Sequence, residues 1–204
     1  MIKSVFVSLQ LLVCLTQLAC QPSSQPVEAS SIDPQHFKTL SKLEKMEVVQ
    51  SGKQLPVANI YTSDSSTIST SYWKGNLLVI DFWASWCSPC LQATPKFHAL
   101  SDQYPQDQLS FISISVDDSH NEWKAFLQEN KWKGNNYWLG SNENQALFSF
   151  MYSQLEIDST QMVLIALPKY VFISPSGEIL GQQSTGPGHP EFDQQLKRYI
   201  DKYL

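Results

Sequence analysis

The sequence predicts an α/β fold in which helices flank a central mixed β-sheet and an extra N-terminal β-hairpin precedes it. Strand-like and helix-like segments alternate along most of the chain, as in a sheet that is covered by helices. The turn Pro175-Ser176-Gly177 between two strand-like runs marks a second hairpin near the end. A chain of 204 residues with 42% hydrophobic and 12% aromatic residues can bury one full core. We therefore expect one compact domain.

The first half of this domain is predicted as a hairpin, a buried strand and a helix. Residues 57–61 and 67–70 form the extra hairpin, and the uninterrupted apolar run over 77–82 is typical of a buried strand. A helix follows over 88–100, because apolar residues recur there at helical spacing. Pro89 stands in its first turn, where a backbone N–H is not needed.

The second half continues the alternation. Apolar residues at every second position indicate strands, and apolar residues at every third or fourth position indicate helices. The predicted strands cover residues 109–116, 137–139, 169–174 and 178–181, and the predicted helices cover 121–130, 145–152 and a last segment that begins near Pro190.

The segment DFWASWCSPC at 81–90 carries the reactive residues. Cys14 and Cys20 lie in the N-terminal segment, so Cys87 and Cys90 have only each other to pair with. A bridge across so short a loop removes little chain entropy, so it stabilises a fold poorly and indicates reversible redox chemistry instead. Cys87 falls at the predicted helix N-terminus, where free N–H groups and the helix dipole favour a thiolate. Cys90 is expected to be the more buried, resolving thiol.

A strand, then this motif, then a helix interrupted by Pro95 resembles the thioredoxin superfamily. An exported form with an extra N-terminal region resembles the TlpA/ResA-like thiol-disulfide oxidoreductases. The likeness covers residues 55–204 and implies a thioredoxin-like fold with a redox centre at Cys87 and Cys90. It also implies that Pro168 follows a cis peptide bond and lies beside Cys87.

The same resemblance assigns roles to the neighbours of the two cysteines. Asp81 matches the buried acid of thioredoxins and would accept the proton that Cys90 loses when it resolves a mixed disulfide. Pro168 would shape a peptide-docking groove with Leu167, and Trp86 would lie against the site. Relatives carry helper residues for the acid at two positions that hold Ala93 and Ser113 here.

The N-terminal segment indicates export. Lys3 is followed by an apolar stretch that ends at Leu18, too short to span a membrane comfortably, and then by small residues. Because Cys20 follows Ala19 and precedes a polar, Pro/Ser-rich tether, the segment resembles a bacterial lipoprotein signal with Cys20 acylated. Gln17 departs from the lipoprotein pattern, so ordinary signal cleavage and an uncleaved anchor stay open as alternatives. We expect a signal peptide at 1–19, a tether and N-terminal extension at 20–54, and the thioredoxin-like domain at 55–204, lipid-anchored on the periplasmic side of a bacterial membrane.

The expected function is thiol-disulfide oxidoreductase chemistry in the cell envelope. The protein would reduce disulfides of client proteins, including apocytochrome cysteines, as the resemblance implies, and would receive electrons from an upstream membrane donor. We expect neither a cofactor nor a metal. A net charge of −5, the absence of a Lys/Arg cluster and the absence of a phosphate-binding glycine motif argue against nucleic acid as a partner.

Three alternatives to this function stay open. A copper-delivery module would use Cys87, Cys90 and the distant His189 as soft ligands. A thiol peroxidase would need a Pro/Thr-rich loop, for which Thr94-Pro95 is a faint match. A binding protein with a vestigial site is the third. The apolar run 162–165 is expected to be a buried strand extension, with a hydrophobic rim for client proteins as its alternative.

Overall fold

The computed structural model of this chain describes residues 51–140, 144–157 and 160–204. The predicted signal at 1–19, Cys20 and nearly all of the extension at 20–54 lie outside these residues. No helix within the described residues is both long and apolar enough to cross a membrane. The strands are β1 (Asn59–Tyr61), β2 (Thr67–Ser69), β3 (Leu77–Trp83), β4 (Leu109–Ser115), β5 (Asn136–Trp138), β6 (Tyr152–Ile157), β7 (Thr160–Ile165), β8 (Lys169–Ile173) and β9 (Ile179–Gln183); the helices are α1 (Ser88–Ser101), α2 (His120–Glu129), α3 (Gln145–Phe148) and α4 (Pro190–Tyr203).

Seven strands form one mixed sheet in the order β2-β1-β5-β4-β3-β8-β9. The central strand β3 pairs in parallel with β4 and antiparallel with β8. Every residue of β3 and of β4 is buried, which explains the long apolar stretch of β3, whereas β4 buries three serines among its apolar residues. The predicted fold class is confirmed, and the sheet places the end of β3 at its centre.

Helices cover both faces of the sheet. Alternate residues of β3 point to opposite faces, so Leu77 and Val79 belong to one core cluster and Leu78, Ile80 and Phe82 to another. The first cluster includes residues of α1 and α4, and the second includes residues of α2. The site described below therefore stands on a sheet that is packed from both sides.

The predicted N-terminal hairpin is present. β1 and β2 pair antiparallel, with Ile60 opposite Ile68. The Thr70 hydroxyl fixes its base by donating to the Pro56 carbonyl at 2.8 Å and by accepting from the Ala58 N–H at 3.0 Å. This hairpin extends the sheet on the far side of β5 from the central strands.

The segment predicted as a helix over 145–152 is helical through Met151, first as an α-helix and then as a 3-10 turn, and only Tyr152 belongs to a strand. α3 ends at Phe148, a 3-10 turn follows over Ser149–Met151, and β6 begins at Tyr152. Leu147, Phe150 and Met151 are all buried. Their spacing is typical of a helix, and the α-helical turn followed by the 3-10 turn buries all three.

The run 162–165 is a strand, although it does not extend β8. It belongs to β7, which pairs with β6 in a separate two-stranded sheet. Its last residue, Ile165, is 51% exposed, and the side chains of 162–164 lie outside the described part of the chain. The base of this hairpin is closed by the Ala166 N–H, which donates to the Met151 carbonyl at 2.9 Å. The hairpin therefore ends directly before Leu167.

Candidate functional site

The two cysteines lie where the central strand passes into α1. β3 ends at Trp83, and Cys87 is the N-terminal capping residue of α1. The Cys87 Sγ atom accepts the Cys90 N–H at 3.3 Å, and Pro89 occupies the first turn as predicted. Cys87 and Cys90 form a disulfide with a Cα–Cα distance of 5.3 Å. The structure thus describes the oxidised state of the pair.

The environment of Cys87 favours an anionic sulfur once the disulfide is reduced. The first turn of α1 contains no acidic residue, so nothing there opposes the positive end of the helix dipole. The Cys90 N–H already points at the Cys87 Sγ atom. Cys87 is 6% exposed and Cys90 is 1% exposed, an order that agrees with an attacking and a resolving thiol.

The loop before β8 supplies the other wall of the site. The Leu167–Pro168 peptide bond is cis, as the resemblance implied. Leu167 is half-buried and packs against the core cluster that includes both cysteines, and Pro168 is buried. A cis bond here lets the chain turn sharply from the β6–β7 hairpin into β8.

Asp81 lies inside the protein, at the centre of β3. It is 1% exposed, and neither carboxyl oxygen has a hydrogen-bond partner in the described residues. Burial raises the pKa of Asp81 to about 8, because a charged carboxylate is poorly solvated there. A carboxyl group with this pKa exchanges protons with a thiol at neutral pH. A solvated edge carboxylate, the ordinary alternative for a strand aspartate, is excluded.

The two tryptophans of the motif have different environments. Trp83 is fully buried and packs on Trp132, with ring centroids 4.5 Å apart. Trp86 is 58% exposed although it is large and aromatic, and it directly precedes Cys87. Trp86 is therefore the one that presents apolar surface beside the reactive cysteine.

Asp117 was not anticipated from the sequence, and it holds the motif loop. Its carboxylate accepts the Ser85 N–H at 3.0 Å and the Ser85 hydroxyl at 2.7 Å, two residues before Cys87. It also accepts the Ser115 hydroxyl at 2.6 Å and is only 3% exposed. Asp117 thus ties the end of β4 to the loop that carries Cys87. An Asp-Asp pair after a strand predicts a turn, so local sequence carries little sign of this role.

Replacing Asp117 by alanine should lower the free energy of unfolding by about 3 kcal/mol, because the half-buried Ser85 donors and the buried Ser115 donor lose their acceptor. It should also slow client reduction, since the loop before Cys87 loses its anchor. Urea unfolding and turnover of a disulfide substrate measure the two effects. Asp107→Ala, at an exposed position of the loop before β4, is the matched control and should cost less than about 0.5 kcal/mol. Equal losses in the two variants would contradict this role.

The proposed copper ligands do not come together as a metal site. The described residues contain no group of three or more His, Cys, Asp or Glu side chains that could hold a metal ion. His189 instead caps α4, where its Nδ1 atom accepts the Glu191 N–H at 3.3 Å. Thr94, named for the peroxidase alternative, donates its hydroxyl to the Cys90 carbonyl at 2.8 Å.

The chain is similar to known redox proteins. The thioredoxin-like family model matches residues 75–179. Thioredoxin-like protein YneN of Bacillus subtilis is 31% identical over 93 residues, which are 44% of this chain and 53% of that protein. Thiol-disulfide oxidoreductase ResA of Bacillus cereus is 28% identical over 89 residues, which are 44% and 50% of the two chains. This chain therefore spans about half the length of the curated relatives it matches.

Solved structures extend the likeness in three dimensions. The crystal structure of the thioredoxin domain of a thiol-disulfide oxidoreductase from Bacteroides vulgatus superposes with a TM-score of 0.58. The match covers 76% of this chain and 99% of that chain at 19% sequence identity. At this identity the likeness shows the fold, and the chemistry of this chain depends on its own residues.

Proposed function

Because this chain belongs to the thioredoxin-like family, whose model matches just over half of it, we propose that it is a thiol-disulfide oxidoreductase that exchanges electrons with protein disulfides. The observation that carries the proposal is the Cys87–Cys90 pair, which is at disulfide distance and capped by the N-terminus of α1. A pair so placed opens and closes without unfolding the domain.

The first step is attack by the Cys87 thiolate on a client disulfide. A bond forms between the Cys87 Sγ atom and one client sulfur, and the other client sulfur leaves as a thiolate. In the molecules in which Asp81 is ionised, a fraction that grows as the pH approaches its pKa of about 8, Cys90 then gives its proton to the Asp81 carboxylate and attacks the Cys87 Sγ atom. The Cys87–Cys90 disulfide forms, and the second client sulfur leaves and takes a proton from solvent. The client gains two electrons and the protein loses two.

The surface around Cys87 suits an extended polypeptide. Trp86 and Ile165 expose apolar side chains on the segments that adjoin the cysteine pair and the cis bond. Leu167 and Pro168 lie between the β6–β7 hairpin and β8. Apolar contacts of this kind hold a client without selecting one sequence, as a general reductase requires.

We also propose that the protein works in the cell envelope as a reductant. Export through the segment at 1–19, a lipid anchor on Cys20, clients that include apocytochrome cysteines and a membrane electron donor belong to this proposal. It is supported by the N-terminal sequence and by the thiol-disulfide oxidoreductase name of the ResA relative. A donor is required by electron balance, because each reduced client leaves the protein as the Cys87–Cys90 disulfide.

Replacing Cys90 by serine should trap client proteins on Cys87 as mixed disulfides, because the resolving thiol is gone. Trapped species are read on non-reducing gels and released by dithiothreitol. The double variant Cys87→Ser, Cys90→Ser is the matched control and should trap nothing. A Cys90→Ser protein that accumulates no mixed disulfide, even with a purified disulfide-bonded test protein, would overturn the proposed function and favour a binding role.

A further inference from the structure

Trp138 connects the extra N-terminal hairpin to the loop that carries Cys87. It is the last residue of β5, in register with Ser115 of β4 on one side and with Tyr61 of β1 on the other. The Tyr61 and Trp138 rings pack against each other with centroids 5.4 Å apart. Trp138 therefore stands at the junction where the hairpin joins the rest of the sheet.

The Trp138 indole holds the main chain of Asp117. Its Nε1–H group donates to the Asp117 carbonyl at 2.6 Å. β4 ends at Ser115, so Asp117 lies two residues beyond the strand, where its own N–H donates to the Ser115 hydroxyl at 3.0 Å. The buried indole N–H groups of Trp83 and Trp123, in contrast, have no hydrogen-bond partner among the described residues. The bond from Trp138 is thus a specific feature of this junction.

Asp117 in turn holds the turn that presents Cys87. Its carboxylate accepts both the N–H and the hydroxyl of Ser85. Residues 84–87 form a tight turn, in which the Cys87 N–H donates to the Ala84 carbonyl at 3.1 Å. Because Ser85 lies inside this turn, its position determines where the Cys87 Sγ atom lies relative to the N-terminus of α1.

His120, the first residue of α2, is a second contact between the hairpin and Trp138. Its ring packs edge-on against the Trp138 ring, with centroids 5.3 Å apart. Its Nε2 atom lies 2.9 Å from the Thr62 carbonyl, and because a carbonyl only accepts, the imidazole is the donor. Thr62 begins the turn between β1 and β2, where its N–H donates to the Ser66 carbonyl at 2.9 Å. The hairpin thus contacts Trp138 directly through Tyr61 and indirectly through His120.

We infer that Trp138 is a positioning residue for Cys87 and that it acts through Asp117. The extra hairpin supports the redox centre by holding the Trp138 ring in place. Each step of this series, from the hairpin to the turn before Cys87, is a hydrogen bond or a ring contact. When the bond from Trp138 is lost, the turn loosens and the helix N-terminus stabilises the Cys87 thiolate less well. The disulfide then becomes harder to reduce, because its reduced form has lost stabilisation.

The purpose of this support rests on the proposed function, but its test needs neither a client nor turnover. Amide hydrogen exchange of the oxidised protein, followed by NMR, measures how often the Ser85 N–H leaves the Asp117 carboxylate. Trp138→Phe keeps an aromatic ring and removes the indole donor, so the Ser85 amide should exchange roughly tenfold faster. The Ile80 amide, at the centre of β3, reports global unfolding in the same spectra, and a Ser85 amide that exchanges faster than it marks a local opening.

Trp123→Phe is the matched control. Trp123 also packs on His120, with centroids 5.3 Å apart, but its indole N–H has no hydrogen-bond partner among the described residues. This variant should leave both the Ser85 exchange rate and the equilibrium of the cysteine pair with glutathione within about twofold of wild type. In Trp138→Phe the glutathione equilibrium should shift toward the Cys87–Cys90 disulfide by about threefold or more, a change that lost stability alone does not produce.

If Trp138→Phe does not fold by circular dichroism, His120→Leu takes its place. It removes the ring contact and the bond to Thr62, and should speed Ser85 exchange by about threefold. Wild-type Ser85 exchange in the folded variant, an unchanged glutathione equilibrium in Trp138→Phe, or an equal change in Trp123→Phe overturns the inference. A failure of the redox proposal appears elsewhere, as the absence of mixed disulfides in Cys90→Ser, whatever the Ser85 exchange rate.

Discussion

Replacing Cys87 by serine lowers the rate of client disulfide reduction by at least about a thousandfold, because an alcohol at this position cannot attack a disulfide or be resolved by Cys90. The rest of the site survives the change. A serine hydroxyl also accepts the N–H that the Cys87 sulfur accepts now, so α1 keeps its N-terminal cap. The loss of rate in this variant would therefore reflect the missing thiol and not an unfolded protein.

The measurement is steady-state reduction of a disulfide-bonded protein with dithiothreitol as electron source. Cys90→Ser is the informative comparison when the pre-reduced variant is mixed with the client without dithiothreitol, because it keeps the attacking sulfur and should release one equivalent of client thiol before the reaction stops. Cys87→Ser should show no such burst. A burst from Cys87→Ser, or turnover within about tenfold of wild type, would assign the attacking role to another residue.

Replacing Asp81 by asparagine makes the protein more stable at alkaline pH, by several kcal/mol above pH 8. Asp81 is neutral in the folded protein up to a pKa of about 8, whereas in the unfolded chain it ionises near 3.8. The folded state thus holds a proton that the unfolded state has lost. The contribution of Asp81 to the free energy of unfolding is fully present below pH 3.8. It falls by about 1.4 kcal/mol for each pH unit between pH 3.8 and about pH 8. Asparagine cannot ionise and removes this dependence.

Urea unfolding of wild type and Asp81→Asn between pH 4 and pH 9 gives the difference directly. The two free energies of unfolding should be close at pH 4 and should diverge as the pH rises, with the variant more stable. Asp107→Asn, at an exposed position, is the matched control and should follow the wild-type curve. The same Asp81 variant should reduce clients more slowly, because Cys90 has lost its proton acceptor. Parallel stability curves would mean that Asp81 is not buried as a neutral acid.

Most of the reaction centre is predictable because its signals are local. The spacing of Cys87 and Cys90 predicts a redox pair, and Pro89 predicts the first turn of a helix. The length of the apolar run before them predicts a buried strand. The cis bond before Pro168 followed from resemblance alone, since position does not distinguish a cis from a trans proline at the start of a strand.

The parts that escaped prediction are non-local. Asp117 reaches Ser85 across 32 positions of sequence, and the placement of Asp81 between Ser113 and Tyr170 depends on the register of three strands. Register is decided when the strands pair, so no single stretch of sequence shows it. β6 was not predicted for a different reason. The buried residues before it recur at helical spacing, so the sequence gives no sign of where the helical segment ends and the strand begins.

The central claim is that the N-terminus of α1 stabilises the Cys87 thiolate, and a pH titration of thiolate absorbance in the reduced protein tests it most directly. One thiol should ionise at least about one pH unit below the value of free cysteine, roughly 8.5, and that transition should vanish in Cys87→Ser and persist in Cys90→Ser. Two thiols that both ionise at or above the free value would contradict the claim.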